Sequence, residues 1–213
     1  MFPKWTDGGP NDGPSAPYRA FLEDAAVQMG IVPRDRILDA GCGEGWAARL
    51  FSRGVPEGLV VGLDTSDEMI QQARLRSVEY ENLMFVLGEA EDVPWQSDYF
   101  SKVVCVESFH HFQNPAKALE EFRRILIPGA SVWIFNPISI ESSPSLSLMV
   151  DGKTSLQPSG ANEYRELLEG CGFVDFTHRM VPQRISFPGT VEKQLPSDLN
   201  ERGAWLITAT KPQ

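Results

Sequence analysis

Short continuous apolar runs recur along the chain, separated by longer stretches in which apolar residues follow a helical spacing. Continuous runs, rather than alternating ones, are typical of strands covered on both faces of a parallel sheet. Most of the gaps between them are long enough for a crossover helix. The pattern predicts five strands, at residues 36–39, 59–63, 83–87, 102–106 and 131–135. Two last strands are plausible near residues 173–181 and 204–210.

Helical spacing of apolar residues predicts five helices between and before these strands. Ser66 is placed to cap one of them, and Pro128-Gly129 to end another. Alternation of strands and helices favours a doubly wound α/β sheet. The predicted helices lie at residues 17–29, 45–53, 66–78, 115–126 and 162–169.

The length of 213 residues predicts one domain with small additions. Residues 1–16 are rich in Gly, Pro, Asp and Ser, which is typical of a flexible tail. Residues 17–213 then form the domain. Residues 17–136 are its strand-rich half, 137–160 a Ser- and Pro-rich loop, and 161–213 a C-terminal helix and strands. A loop of this length inside a domain is usually functional, so we expect it to contact a substrate.

The charge balance disfavours several functions. There are 19 Lys and Arg residues against 29 Asp and Glu, a net charge of −10. Nucleic-acid binding and anionic lipid binding both rely on basic clusters, so the composition disfavours both. The sequence shows no apolar run of membrane-spanning length and no signal peptide pattern. We therefore expect a cytoplasmic protein without a membrane partner; the oligomeric state stays open.

Metal binding is not indicated either. Cys42, Cys105 and Cys171 are too widely spaced for a metal motif or a disulfide framework. Three histidines are too few for a convincing zinc cluster. We expect reduced, mostly buried thiols and no metal.

The most informative segment is residues 37–45, in which a strand, three alternate glycines and a helix start follow one another. Glycines let the backbone turn tightly and approach a ligand closely. The second strand ends in Asp64, where an acid can accept hydrogen bonds from both hydroxyls of a ribose. Alternatively, Asp64 caps the helix that begins near Ser66.

The spacing of the glycines, and the acid that precedes them, disfavour a dinucleotide as the ligand. The dinucleotide motif is G-x-G-x-x-G, whereas this loop is G-x-G-x-G with Asp39 just before it. An acid there repels a pyrophosphate and suits a cationic ammonium. S-adenosylmethionine has a ribose, an ammonium and a sulfonium but no phosphate. An oxidoreductase that uses a nicotinamide cofactor is therefore disfavoured.

With these residues the sequence resembles the class I S-adenosylmethionine-dependent methyltransferases, specifically the small-molecule type (methyltransferase domain 11-like). The resemblance is strong over residues 37–135 and looser beyond. It implies a Rossmann-like, mostly parallel seven-stranded sheet with helices on both faces and an antiparallel last strand. Six segments carry it in order, at residues 38–45, 62–66, 88–95, 103–111, 123–129 and 166–173.

The resemblance also implies which residues bind the cofactor. Asp64 would hold the ribose, Glu89 the adenine amino group, with Glu91 and Asp92 as alternatives, and Ala90 would offer a backbone N–H. Met69 would pack on the adenine, although helix core packing is an equal interpretation. Glu107 would face the methionine part or the acceptor. The predicted cofactor-binding set is Asp39, Gly41, Cys42, Gly43, Gly45, Asp64, Thr65, Met69, Glu89, Ala90 and Glu107.

Catalysis needs few side chains if the resemblance holds, because a sulfonium is already an activated methyl donor. The protein would align the acceptor for in-line displacement and exclude water. His111 or His110, after the fourth strand, is a candidate general base; the simpler interpretation is a hydrogen bond to backbone. Tyr18 and His111 are candidate substrate contacts. The expected partner is a small-molecule acceptor. The alternative function is a non-catalytic S-adenosylmethionine-binding or regulatory module.

Overall fold

Seven strands form one mixed sheet in the computed structural model, which describes residues 22–23, 25–137, 158, 160–182 and 203–213. The sheet order is β3-β2-β1-β4-β5-β7-β6. Strands β1 to β5 pair in parallel, and β7 is antiparallel to both of its neighbours. The predicted fold class is therefore confirmed. The strands are β1 (Arg36–Ala40), β2 (Leu59–Asp64), β3 (Leu83–Leu87), β4 (Phe100–Val106), β5 (Leu126–Pro137), β6 (Val174–Pro182) and β7 (Gly203–Thr210).

Helices cover both faces of this sheet. They are α1 (Trp46–Ser52), α2 (Asp67–Leu75), α3 (Pro115–Ile125) and α4 (Ala161–Gly170), with a 3₁₀ turn at Phe109–His111. Residues 22–23 and 25–28 are helical too. One buried cluster contains Phe122 of α3 and Leu168 of α4. A second contains Phe51 of α1 and Ile70 of α2. The sheet is thus buried on both sides, as its continuous apolar strands predict.

Several helix ends differ from the prediction; helix α2, for example, ends at Leu75 rather than at residue 78. Helix α3 ends at Ile125, because Leu126 is extended and begins β5 directly. Pro128-Gly129 therefore lies inside a strand and does not end the helix. Gly129 has a φ of 77° there, and its N–H donates to Lys211 O. Helix α1 begins at Trp46, since Gly45 is left-handed with a φ of 78°.

Several predicted features fall outside the described residues. The tail at residues 1–16, Tyr18 and most of the loop at 137–160 are among them. The division of the chain into these parts therefore stays a prediction. Within the part of the chain that is described, no helix is long and apolar enough to cross a membrane.

Candidate functional site

A cavity of about 730 Å³ lies at the carboxyl ends of β1 to β4. Strands β2 and β3 extend the sheet on one side of β1, and β4 and β5 extend it on the other side. The strand order therefore switches direction between the neighbouring strands β1 and β4. Open α/β sheets bind ligands at this kind of switch point. The cavity is bordered by Gly41, Gly43, Met69, Lys117 and residues 63–65, 88–91, 107–108 and 111–114.

The glycine loop after β1 forms one wall of the cavity. The N–H groups of Gly41 and Cys42 both donate to Leu63 O, at 2.7 and 2.9 Å, which ties the loop to the end of β2. Gly41 has a φ of 74°, and a Cβ there would lie 2.4 Å from the Cβ of Ser108. The hydroxyl of Ser108 in turn donates to Ala40 O at 2.5 Å. Glycine is required at position 41 because the exit of β4 packs directly on the loop.

Cys42 and Gly45, predicted to bind the cofactor, lie behind this wall rather than on the cavity. Cys42 is buried, and burial raises the pKa of its thiol, which stays protonated. A Cβ on Gly45 would lie 2.5 Å from the ring of Phe85. Both residues shape the loop from below, so any contact that they make with a ligand is through the backbone.

Asp39 lies under the glycine loop and is completely buried. Neither of its carboxylate oxygens has a hydrogen-bond partner among the described residues. Burial, and secondarily the negative charge of Asp64, raises the pKa of Asp39 to about 7. A buried carboxylate without a partner is costly, and a cationic or hydrogen-donating ligand would offset that cost. Asp39 does not itself border the cavity.

Asp64, at the end of β2, borders the cavity and organises its backbone. Its Oδ2 accepts from Gly43 N at 2.8 Å, and its Oδ1 accepts from Ser66 N at 2.9 Å. Ser66 caps α2 as predicted, because its hydroxyl accepts from Met69 N at 3.3 Å. Thr65 and Met69 border the cavity beside it. The alternative role of Asp64 at the helix start is thus observed, and each carboxylate oxygen retains a further lone pair for a ligand.

The acidic loop after β3 forms the opposite wall. Glu89, Ala90 and Glu91 border the cavity, whereas Asp92 does not. Glu91 accepts a hydrogen bond from Asn114 N at 3.0 Å. Glu89 is exposed, so its carboxylate is accessible to a ligand. Of the three acids left open by the sequence, Glu89 is therefore the best placed to bind one.

An ion pair on α3 holds this acidic loop in place. Glu121 accepts from Val93 N and pairs with Arg124, whose guanidinium donates to Val93 O and Trp95 O. The Arg124 side chain holds the pKa of Glu121 below its usual range. The loop is thereby fixed against the helix that follows the site.

The exit of β4 supplies the remaining predicted residues. Glu107 borders the cavity with a φ of 55°, and its N–H donates to Phe135 O at 2.7 Å. His111 borders the cavity, but His110 does not. Their ring centroids lie 3.9 Å apart. Partial burial, and secondarily the charge of His111, lowers the pKa of His110. Of the two candidate bases, His111 is the one directly in the cavity.

Sequence reasoning missed the stretch that leads into α3. Phe112, Gln113, Asn114 and Lys117 all border the cavity. Asn114 caps α3 by accepting from Lys117 N at 3.1 Å. The Asn114-Pro115 pair is a helix-start signal that could have located this stretch beside the site.

The charges around the cavity suit a cation. Four carboxylates border it, from Asp64, Glu89, Glu91 and Glu107, against one ammonium, from Lys117, among the described residues. The orphaned Asp39 adds a fifth acid beneath. These residues fit S-adenosylmethionine, with its ammonium and sulfonium, and do not fit a pyrophosphate. Groups of three or more side chains that could hold a metal ion are absent from the described residues.

Residues 38–134 match the family model described as "Methyltransferase domain". This segment is a class I S-adenosylmethionine-dependent methyltransferase domain, and the resemblance inferred from the sequence is confirmed. The cofactor of this class is S-adenosylmethionine. The matched segment contains the glycine loop, Asp64, the acidic loop and the exit of β4.

The curated relatives agree with this class. An uncharacterized methyltransferase of Schizosaccharomyces pombe is 35% identical over 46% of this chain and 38% of its own length. A demethylmenaquinone methyltransferase of Staphylococcus aureus is 30% identical over 54% of this chain and 48% of its own. The chain thus spans about a third to a half of the curated relatives it matches.

A solved structure extends the similarity of fold to nearly the whole chain. It is the complex between the Haloferax volcanii Trm112 methyltransferase activator and the putative methyltransferase. The TM-score is 0.77 at 23% identity, over 92% of each chain. At this identity the match establishes the fold alone.

Proposed function

We propose that this protein transfers the methyl group of S-adenosylmethionine to a small-molecule acceptor. The observation that carries the proposal is the pairing of an acid-lined cavity with the buried, unpartnered carboxylate of Asp39 beneath its glycine loop. A site of this charge favours a cationic nucleoside over a phosphate-bearing one. The cofactor would supply an activated methyl group on a positively charged sulfur.

Each wall of the cavity has a part in binding. Asp64 is positioned to accept from ribose hydroxyls while it holds the Gly43 and Ser66 backbone N–H groups. Glu89 and Ala90 are suited to the adenine edge, and Met69 to its face. Glu107 faces the end of the cavity next to His111. The Asp39 charge supports an ammonium from below.

A small acceptor is supported by the charge of the chain and by one relative. The net charge of −10 disfavours nucleic acid as an acceptor. The Staphylococcus aureus relative is named a demethylmenaquinone methyltransferase. The chain's own contribution to the reaction would be to align the acceptor, exclude water and accept a proton where the acceptor has one to lose.

Titration calorimetry of the full chain with S-adenosylhomocysteine tests the proposal. We expect binding, and no measurable binding of NAD under the same conditions. Asp64→Asn should weaken the affinity by roughly tenfold or more, about 1.4 kcal/mol, because one charged acceptor for the ribose is lost. Asp67→Asn is the matched control, since Asp67 lies in the first turn of α2 and does not border the cavity.

Two outcomes would overturn the proposal. Absence of S-adenosylhomocysteine binding at millimolar concentration removes the cofactor assignment. Equal affinities of the Asp64→Asn and Asp67→Asn variants remove the ribose assignment. Binding without release of S-adenosylhomocysteine from S-adenosylmethionine across a broad acceptor panel would favour the non-catalytic module instead.

A further inference from the structure

Glu107 has a backbone conformation that a glutamate rarely adopts. It directly follows β4 and borders the cavity with a φ of 55°, in the left-handed region. Among the described residues, the only other non-glycine residues with a positive φ are Asp98 and Asp175. Aspartate tolerates this region better than most residues, and neither of these two borders the cavity. Glu107 is therefore unusual both in its residue type and in its place.

The fold needs a left-handed residue at this position. The N–H of Glu107 donates to Phe135 O, which continues the contact between β4 and β5. The next residue, Ser108, is buried, and its hydroxyl donates to Ala40 O at the end of β1. The chain turns between these two fixed points. The turn requires the backbone torsion but not a carboxylate, since glycine adopts this torsion without steric cost.

The Glu107 carboxylate has no structural task among the described residues. The side chain is exposed, and no hydrogen bond or ion pair from a described residue holds it. Two of the other cavity acids do hold the structure together: Asp64 accepts from two backbone N–H groups, and Glu91 accepts from one at the start of α3. Of the four cavity acids, Glu89 and Glu107 therefore have carboxylates that are available to a ligand.

The order of the strands places these two carboxylates at opposite ends of the site. The residues that border the cavity follow β3, β2, β1 and β4, which lie in this order along the sheet. Under the proposed function, the adenine binds at Glu89 after β3, the ribose at Asp64 at the end of β2, and the methionine part at the glycine loop after β1. Glu107, after β4, lies one strand beyond the methionine part. This is the end at which an acceptor meets the methyl group.

We propose that Glu107 selects the acceptor and that the acceptor is an amine. The inference rests on the proposed function and specifies its substrate class. The carboxylate attracts the ammonium form of the amine, which releases one proton to solvent before it reacts. The nitrogen lone pair then forms the new N–C bond, and the C–S bond breaks with its electron pair on sulfur. Positive charge moves from sulfur to nitrogen, where the fixed negative charge of Glu107 stabilises the transition state.

Sinefungin tests the inference without any acceptor. It is an analogue of S-adenosylhomocysteine in which an amine-bearing carbon replaces the sulfur, so its ammonium takes the place of the methyl group that is transferred. Calorimetry of the full chain measures the ratio of the sinefungin affinity to the S-adenosylhomocysteine affinity. We expect Glu107→Gln to lower this ratio by roughly tenfold, because a charge-assisted contact is lost. The affinity for S-adenosylhomocysteine should stay within about twofold of the wild-type value.

Two further variants separate this contact from net charge and from folding. Glu120→Gln changes the net charge equally, but Glu120 is an exposed residue of α3 that does not border the cavity, so the ratio should not change. Glu107→Gly should lower the ratio as Glu107→Gln does. It should not lower the midpoint of thermal unfolding, because glycine adopts the left-handed torsion freely. If Glu107→Gln does not fold, the glycine variant still decides the test.

Three results would overturn the inference and leave the proposed function intact. An unchanged ratio in the Glu107 variants shows that the carboxylate does not face the position of the transferred methyl group. An equal loss of affinity for both ligands shows that Glu107 binds the methionine part of the cofactor instead. A clearly lower unfolding midpoint of Glu107→Gly assigns Glu107 to the fold. If the wild type does not bind S-adenosylhomocysteine at all, the proposed function fails and the inference fails with it.

Discussion

Asp39 couples the stability of the protein to pH. Its pKa is raised from 3.8 to about 7 in the folded chain, first by burial and then by Asp64. Between these values the folded state holds a proton that the unfolded state has released. This contribution to stability is complete below about pH 4 and is lost as the pH rises through about 7. The slope is at most about 1.4 kcal/mol per pH unit for one group.

Urea unfolding of the wild type and of Asp39→Asn across that interval checks this prediction. The asparagine is nearly isosteric and does not titrate, so the difference between the two free energies of unfolding isolates Asp39. We expect the wild type to lose stability relative to the variant from about pH 4 to about pH 7 and to level off above about pH 8. Parallel curves over the whole interval would show that Asp39 is not perturbed.

Single residues differ in how well the sequence predicts them. Asp39, Gly41 and Asp64 were found because a glycine loop between a strand and a helix has a known geometry. Asn136, near the end of β5, was not found, because its hydrogen-bond partner Tyr164 of α4 lies far from it in sequence and meets it only when β5 and α4 pack together. Contacts of this kind are properties of the tertiary structure and leave no local pattern.

Strand β2 depends on a glycine for its packing. A Cβ on Gly62 would lie 2.5 Å from Cδ1 of Phe85 and 2.8 Å from Sγ of Cys42. Phe85 has no room to retreat, because its ring also fills the space next to Gly45. Gly62→Ala should therefore destabilise the protein by about 1–3 kcal/mol through overpacking.

Free energies of unfolding from urea titrations measure this effect. Gly170→Ala is the matched control, since a Cβ at the end of α4 meets nothing within 4 Å. It should be neutral or stabilising by up to about 1 kcal/mol, as alanine favours helix. Phe85→Leu should cost less in the Gly62→Ala background than in the wild type, because the smaller side chain relieves the clash. Equal costs of the two glycine substitutions would contradict the packing argument.

The helices and strands themselves were well predicted, whereas several of their ends were not. Continuous apolar runs located the five parallel strands, because burial on both faces leaves a strong signal. The ends at Gly45 and Leu126 depend on backbone torsions instead. Pro128-Gly129 looked like a helix stop, but β5 already pairs with β4 at Leu126. Tertiary pairing overrides such local signals.

The arrangement of the sheet explains why the site is formed by distant parts of the sequence. Four parallel strands bring their carboxyl ends to one edge, so residues from 41 to 117 border a single cavity. The sequence predicted site residues directly after β1, β2, β3 and β4, where recognisable motifs lie. It did not predict that residues 112–117 close the cavity, because their place depends on how α3 packs on the sheet.

The charge of the cavity leads to a prediction about salt. S-adenosylmethionine carries one more positive charge than S-adenosylhomocysteine, and the cavity has four carboxylates against Lys117 among its described residues. The cofactor should therefore bind more tightly than the product at low ionic strength. Because salt screens this attraction, the ratio of the two affinities should fall by roughly fivefold between about 20 mM and about 500 mM NaCl.

Calorimetry with both ligands at the two salt concentrations measures that ratio, and charge variants locate its origin. Lys117→Gln removes the opposing charge, so it should tighten S-adenosylmethionine binding more than S-adenosylhomocysteine binding. Arg34→Gln changes the net charge of the chain equally, but Arg34 is an exposed residue before β1, at the opposite end of the strands. It should leave the ratio nearly unchanged, because its distance from the cavity exceeds the screening length at moderate salt. The prediction fails if the ratio of the two affinities does not change with salt concentration. If the ratio changes equally in both variants, the net charge of the chain, and not the carboxylates of the cavity, selects the cofactor.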